Sequence, residues 1–368
     1  YPLPEWQPLQ KSYIHPARTL SAKSSIPALE GILLECEDVL RLSGYNMQTG
    51  IRTTLDADIG ETGRIVLNAR LFGEMIRRLP DDVVVFDADE KYNVRLTCGD
   101  ASFELPGLSA DDYPDLPEVD DQYSVTLEQR TLKAMIQQTS FAVSVNETRP
   151  IHTGELFEIS DAGLTVVAVD GFRLALRREP LEHIDGGAFR FVAPGAALNE
   201  VEKICADTDE MIHVIQGKRH LMFEAGTTQL ICRRLEGEFL DYRNAIPMNH
   251  PIAIEVDNKV MLESLDRVSV VISEKLKSPV RCVFGEDRVF MSARTGNGEA
   301  KDICPVRGDG QNLEIGFNNR YLMDALRYAP AEAVTMHLNT GISPCVITPT
   351  DGSDSFLYMV LPVRLKAQ

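Results

Sequence analysis

Three stretches of the chain share one pattern at a nearly constant interval, and a chain that repeats a supersecondary unit builds its fold from copies of that unit. Residues 68–80 (NARLFGEMIRRLP), 194–205 (PGAALNEVEKIC) and 318–330 (NNRYLMDALRYAP) each read as an amphipathic helix running into a β-rich segment. In register, Phe72, Leu198 and Leu322 coincide, as do Met75, Val201 and Ala325. That is the i, i+3 stripe of a helix packed along one face. The intervals are 126 and 124 residues. A second landmark, a strand entering a turn, recurs at 39–46 (VLRLSGYN), 163–170 (GLTVVAVD) and 288–295 (RVFMSART), with intervals of 124 and 125. Two independent landmarks with one period, in a chain of 368 residues, predict three homologous domains.

Each copy also opens with a helical pattern, over Pro8–Leu20, Thr126–Gln138 and Asn258–Val270. In the second of these, Leu127, Leu132, Met135 and Ile136 line one face. The intervening runs, such as 82–86, 221–223 and 334–338, alternate apolar and polar residues between Gly and Asp turns, as antiparallel strands covered on one face do. The expected fold is therefore α+β, with each domain placing two helices on antiparallel sheet. Turn-rich segments at 111–121 and 247–251 put the domain boundaries at 1–120, 121–247 and 248–368.

Lys and Arg number 37 against 55 Asp and Glu, a net charge of −18. Duplex binding normally leaves a basic footprint, so the total taken alone opposes a nucleic-acid partner. The charge is unevenly placed, however. The six helical patterns carry +5 together and the rest of the chain −23. A helical face that meets a polyanion, with an outer surface that repels one, has that distribution. Scatter of solvated helix charges has it too.

The seven cysteines are scattered, with no C-x-x-C pair and no histidine at zinc-ligand spacing, and read as reduced core thiols. No apolar run approaches the ~20 residues of a membrane span. Residues 1–6 (YPLPEW) lack the basic start and apolar stretch of a secretory signal, so a cytoplasmic location is expected. Gly217-Lys218 is followed by Arg219 without the upstream glycine of a phosphate loop, and neither H-E-x-x-H nor G-x-S-x-G occurs. No cofactor, no metal and no catalytic residue is expected. Two rival readings stay open. One is a metal-dependent DNA-processing enzyme holding Mg2+ at Asp81-Asp82, Asp111-Asp112 or Asp120-Asp121, although adjacent carboxylates on extended chain point apart. The other is an acidic protein-interaction scaffold with no DNA role.

The order of motifs resembles one family, the β subunits of bacterial DNA polymerase III. The residues that carry the likeness are 21–32 (SAKSSIPALEGI), 149–157 (RPIHTGELF), 166–175 (VVAVDGFRLA), 238–247 (EFLDYRNAIP) and 358–365 (YMVLPVRL), and it covers all but about the first eight residues. The resemblance implies a homodimeric sliding clamp whose six domains close a ring, with helices lining a channel for duplex DNA. Contacts would be to phosphate, without base readout, and retention would come from topology, so a weakly basic lining suffices. As implied partners it brings the replicative polymerase, the clamp loader and other proteins, held through short linear peptide motifs.

The same resemblance places a partner-peptide pocket at His152, Val169, Gly171, Phe172, Arg173, Leu174, Leu240, Ala245, Tyr321, Pro344, Met359, Leu361, Pro362, Val363 and Arg364. Physically these make an apolar cleft suited to leucine-like and aromatic anchors. Asp170-Gly171 also reads as a plain tight turn. His152 stands where an aliphatic residue is usual in the family, Leu240 replaces proline, Pro344 a small polar residue and Phe172 a histidine. On the DNA-facing surface the resemblance puts Lys23, Arg77, Arg78, Arg149, Lys203, Lys275, Lys277 and Arg281. It puts the subunit contact at Phe103 and Leu105 on an edge strand of the first domain and at Val271 and Ile272 of the third. Pro2, Pro4 and Pro8 interrupt what is ordinarily an N-terminal strand.

Overall fold

In a computed structural model, residues 6–20, 25–181, 184–273 and 278–365 are described. The chain divides into two compact units. One is Tyr1–Lys133 with His183–Gly187 and Ala196–Arg234, and the other is Ala134–Glu182 with Ala188–Gly195 and Leu235–Gln368. These units do not coincide with the three sequence repeats, and the sheets show why. Among the described residues the first unit holds a 12-stranded antiparallel sheet, in which Thr228–Arg233 of the middle repeat pairs with Thr49–Leu55 of the first. Thr53 and Thr228 share a hydroxyl hydrogen bond of 3.1 Å at that seam. The second unit holds a 10-stranded sheet, in which Arg173–Glu179 of the middle repeat pairs with Phe356–Val360 of the last. The middle repeat thus gives strands to both sheets.

The helical repeat is present as read. Phe72, Leu198 and Leu322 are all completely buried, as are Val201 and Ala325. Helices Ala69–Ile76 and Asn319–Arg327 start at equivalent caps. The Asn68 side chain accepts from the Leu71 amide at 3.0 Å and the Asn318 side chain from the Tyr321 amide at 3.3 Å, each satisfying an otherwise free first-turn N–H. Asp257 does the same for helix Asn258–Ser269 through the Val260 amide. In the first unit helix Trp6–Ala17 lies on the sheet with Leu9 and Tyr13 in the core beside Ile32, Leu42 and Phe72. The Tyr13 ring meets Phe72 edge-on at 5.5 Å, and its hydroxyl donates to the Ala69 carbonyl. In the second unit Met261, Leu265, Leu322 and Leu326 pack on Ile254, Phe317 and Tyr358. Six cysteines are buried and Cys36 is half-buried, all as free thiols.

Three expectations need correction. Residues Thr126–Glu128 belong to strand Tyr123–Glu128, and the helix starts at Gln129. Leu127 faces the core from a strand, because Val125 and Leu127 alternate inward while Leu132 begins the helical stripe. The first helix begins at Trp6 with Pro8 in its first turn, where the missing N–H is harmless. Residues 1–5, with Pro2 and Pro4, lie outside the described residues. Within the observed helix bounds the net charge falls from +5 to +3, since Arg18, Arg77 and Arg78 follow helix ends and Glu128 sits in a strand.

Candidate functional site

In the second unit, four adjacent strands put one apolar residue each into a single row. Val169 faces Leu174, Leu174 faces Met359, and Met359 faces Val346, on strands Gly163–Val169, Arg173–Glu179, Phe356–Val360 and Cys345–Pro349. The next row on that face is Val167, Leu176 and Leu357. Period-2 alternation fixes this, since the intervening Ala168, Ala175 and Tyr358 point to the opposite core. Ile151 and Tyr242 close over the rows, with Phe239 and Ile246 partly covering them.

The segment that carries those residues is pinned by a carboxylate. Glu158 accepts from the Tyr242 hydroxyl at 2.5 Å and from Arg243 at 2.7 Å, while the Arg243 guanidinium lies 4.6 Å from the centre of the Tyr242 ring. Burial and the nearby Glu158 carboxylate push the Tyr242 phenol well above its ordinary pKa, so it remains a donor. Short helix Tyr242–Ala245 is thereby held, with Ala245 half-buried on it and Leu240, 43% exposed, just ahead.

The second wall centres on Arg173. Its guanidinium bonds Asp170 at 2.8 Å and Asp324 at 2.7 Å and lies 4.3 Å from the centre of the Tyr321 ring. Only 11% of the side chain is exposed. Asp170 also accepts from the Phe172 and Arg173 amides, and Gly171 takes φ +89, a backbone state that glycine adopts without strain. The turn reading of Asp170-Gly171 therefore holds. The turn lifts Phe172 to 59% exposure, where its ring stacks on Tyr321 with centroids 6.2 Å apart. The Leu361 amide donates to the Phe172 carbonyl and the Val363 amide to the Gly316 carbonyl, which carries 361–364 along the same wall. Pro362 is half-buried, and Val363 and Arg364 are exposed.

His152 sits on the short turn of helix Pro150–Thr153 with its ring edge-on to Phe239 at 5.3 Å. Burial, reinforced by the Arg149 charge, lowers its pKa, and its Nε2 is enclosed without a hydrogen-bond partner. Pro344 is half-buried beside strand Cys345–Pro349. The structure thus gathers Val169, Leu174 and Met359 into one apolar floor and joins Phe172, Arg173, Tyr321 and Leu361 through direct contacts. Sequence reading missed Ile151, Phe239, Tyr242, Ile246 and Val346. The tyrosine within 238–247 was the available signal. Val346 has none, because only its cross-strand neighbour Met359 marks it.

Of the five described cations expected to face DNA, four are tied to a neighbouring acid. Arg77 lies 2.5 Å from Glu74, which also binds Arg78, while Lys203 is 2.6 Å from Glu200 and Arg281 2.5 Å from Glu314. Exposed pairs of this kind hold only weakly and are readily exchanged for a phosphate. Arg149 is exposed. Lys23, Lys275 and Lys277 lie outside the described residues.

Strand Ala101–Leu108 is not the end strand of its sheet, a place held by Val84–Ala88. It is an edge over residues 101–106: one side pairs with Asn93–Cys98, the other meets Gly63–Asn68 only at Gly107 and Leu108 among the described residues. Phe103 is half-buried and Leu105 lies in the core, so at Leu105 the backbone alone is presented. Val271 and Ile272 are half-buried after helix Asn258–Ser269, and the Val271 carbonyl accepts from the Thr295 hydroxyl at 2.7 Å.

The expected acid pairs, Asp81-Asp82, Asp111-Asp112 and Asp120-Asp121, are exposed in turns and loops. Among the described residues no group of three or more His, Cys, Asp or Glu is placed to share a metal ion, and no helix is long and apolar enough to cross a membrane.

Comparison with known proteins fits this arrangement. Three family models match in order: the DNA polymerase III beta subunit N-terminal domain over residues 7–117, the central domain over 126–241 and the C-terminal domain over 243–364. The beta sliding clamp of Staphylococcus epidermidis is 32% identical over 358 residues, 94% of each chain. Among solved structures, the DNA polymerase sliding clamp of Bacillus subtilis aligns with a TM-score of 0.92 at 27% identity, and the DNA polymerase III subunit beta of Pseudomonas aeruginosa with 0.92 at 26%. Each alignment covers 98% of both chains. With three consecutive domain models spanning almost its whole length, the chain belongs to the DNA polymerase III beta subunit family.

Proposed function

We propose that this protein is a DNA sliding clamp: two copies close into a ring around duplex DNA and tether the replicative polymerase and other replication and repair proteins to it. The protein catalyses no step itself. The observation that carries this reading is the complete, ordered set of three clamp-subunit domains over 7–364. Neither a metal-dependent nuclease nor an acidic scaffold without a DNA role has a counterpart among the relatives described above. Domain boundaries near 120 and 247 and a cytoplasmic location accompany the proposal.

Retention by a closed ring explains why a chain of net charge −18 can serve duplex DNA. Affinity need only be weak, since leaving requires opening the ring. Lys23, Arg77, Arg78, Arg149, Lys203, Lys275, Lys277 and Arg281 are proposed to contact phosphates transiently. The half-open edge at Phe103 and Leu105 is proposed to pair with the Val271–Ile272 region of a second copy. The test is loading by an ATP-driven clamp loader onto nicked circular DNA, followed by gel filtration in high salt. The protein is expected to stay on the circle and to be lost on linearisation. Equal retention on both forms, or cleavage of the DNA in Mg2+, overturns the proposal.

The apolar floor of Val169, Leu174 and Met359, walled by Phe172, Tyr321 and Leu361, is proposed to seat short peptide motifs with leucine-like and aromatic anchors, through which polymerase and clamp loader compete. His152 gives this pocket a pH dependence of known sign. Its pKa is lowered by burial, and a bound peptide would bury it further, so protonation opposes binding. Affinity should be flat at neutral and alkaline pH and fall by up to about tenfold per unit below the His152 pKa. Fluorescence anisotropy of a labelled leucine–phenylalanine peptide between pH 5 and 8 measures this. His152→Leu should bind with no such fall, and a variant that keeps the fall removes His152 from the pocket.

A further inference from the structure

We infer that the free edge of strand Val84–Ala88 is a docking site for an extended basic segment of another protein, added to the first unit's sheet as an antiparallel strand. Val84–Ala88 ends the 12-stranded sheet, and among the described residues only Asn93–Cys98 pairs with it. The other two repeats show what is missing. Strand Met211–Gln216 has the opening strand Tyr123–Glu128 at its side, and Ala333–Leu338 has Ile252–Asp257. Val84–Ala88 holds the place of Met211–Gln216. Val84 faces Cys98, which faces Ala101 across a tight turn, as Ile212 faces Ala225 and Ala225 faces Thr228. The inference uses the first unit's sheet alone and is independent of the proposed ring.

Hydrogen bonding fixes which groups the edge presents. The Asp89 amide donates to the Asn93 carbonyl at 3.0 Å, in register with the ladder. By alternation Val85 and Asp87 turn their N–H and C=O to Asn93–Cys98, while Val84, Phe86 and Ala88 turn theirs to the free side. In the middle repeat Leu127 and Val125 bond the equivalent Ile212 and Val214, a phase set by the Gln129 amide, 2.8 Å from the Glu210 carbonyl. In the last repeat Val256 and Ile254 take this part, with the Asn258 amide 2.8 Å from the Glu332 carbonyl. Counting back along the helices that follow, from the buried Leu9, Leu132 and Met261, puts Pro4 and Pro2 in these sequence positions. Both lie outside the described residues, and neither has an N–H to donate. The edge therefore needs another donor.

The two faces of the sheet set what fits. Val125, Leu127, Ile254 and Val256 are all buried, so inward positions of an added strand take aliphatic side chains. On the outward face Val83 and Val85 are 51% and 52% exposed, and residues 81–90 carry five carboxylates and no cation. Arg95, opposite Asp87, is engaged by Glu104 at 2.8 Å. A second copy of this edge would set those carboxylates against their like, which destabilises a strand pair. A strand with aliphatic residues inward and Lys or Arg outward complements both faces. Main-chain bonds supply its affinity and Asp87 the charge preference.

The experiment is fluorescence anisotropy of the labelled hexapeptide VKVTLK with the full chain, joined to residue-resolved hydrogen exchange. Saturable binding of one peptide per chain is expected, with new protection at the Val84, Phe86 and Ala88 amides and none added at Val85 and Asp87. The charge-reversed VEVTLE should bind at least about tenfold more weakly. Ala88→Pro should weaken binding about fivefold, the loss of one hydrogen bond. It removes no ladder bond, because that N–H faces away from Asn93–Cys98. Asp87→Asn should weaken VKVTLK by about two- to threefold and narrow the gap between the peptides, which keeps the test valid should the proline variant misfold. No saturable binding, or equal affinity for both peptides, overturns the site. So does protection of the Val84 and Phe86 amides in the free chain, whether by its own residues or by a second copy.

Discussion

Replacing Gly44 by valine should release helix Trp6–Ala17 from the first unit's sheet. A Cβ at Gly44 would stand 1.9 Å from the Pro16 carbonyl oxygen and 2.7 Å from the Thr19 hydroxyl. The first obstacle is backbone, which cannot rotate away, so the helix end must move. The cost is then the docking of Leu9 and Tyr13, both in the core, at roughly 1.5–3 kcal/mol each. A helix of 12 residues with Pro16 inside it does not persist alone in water. Limited proteolysis should therefore cut within 6–20 at least tenfold faster, while exchange at the amides of Leu40–Tyr45 accelerates far less than global unfolding predicts. Gly60→Val is the control, since a Cβ at Gly60 would meet nothing within 4 Å. Equal behaviour of the two variants would show that the helix is not seated against Gly44.

Arg173→Ala should have the larger effect on the second unit. Removing the guanidinium leaves Asp170 and Asp324, 12% and 16% exposed, without the cation that bridges them. Breaking a buried pair from one side is disfavoured by about 3–5 kcal/mol. The lower end applies, because Asp170 keeps two backbone donors and Arg327 lies 3.7 Å from Asp324. The readout is hydrogen exchange in strand Arg173–Glu179, since a chain with two compact units need not melt as one. Peptide affinity should fall with it, since Tyr321, on which Phe172 stacks, loses the guanidinium that covers its ring. Arg173→Lys should recover less than half, for a single ammonium cannot reach two carboxylates and cover the Tyr321 ring together. Full recovery by lysine would reduce the role of Arg173 to charge alone.

Much of this fold was legible because helices declare themselves locally. The stripe of Phe72, Leu198 and Leu322 predicts burial without knowledge of what covers it, and all three are buried. At Thr126–Glu128 the reading failed, since Leu127 fits the helical stripe that follows as well as the strand alternation in which it lies. Sheet continuity across the repeats was not legible at all. Nothing in Thr49–Leu55 or Thr228–Arg233 names the other as its partner, because strand pairing is non-local. The same limit hid Val346. Residues 166–175 signal their turn through Asp170 and Gly171, whereas Cys345–Pro349 reads as any buried strand until the pairing of Met359 with Val346 is seen. Surface cations are a third case. Glu74 precedes Arg77 and Arg78 by three and four residues, a spacing that already foretells their pairing.

Strand Phe356–Val360 lies between Arg173–Glu179 and Cys345–Pro349, although synthesis delivers it long after the first of these. During translation the amides and carbonyls of residues 173–177 that face this strand consequently wait until residues 356–360 emerge. Until then the groove lacks its central plank. The surface proposed to seat peptides is therefore finished only when this late strand pairs, so on that proposal an incomplete chain presents no completed docking face.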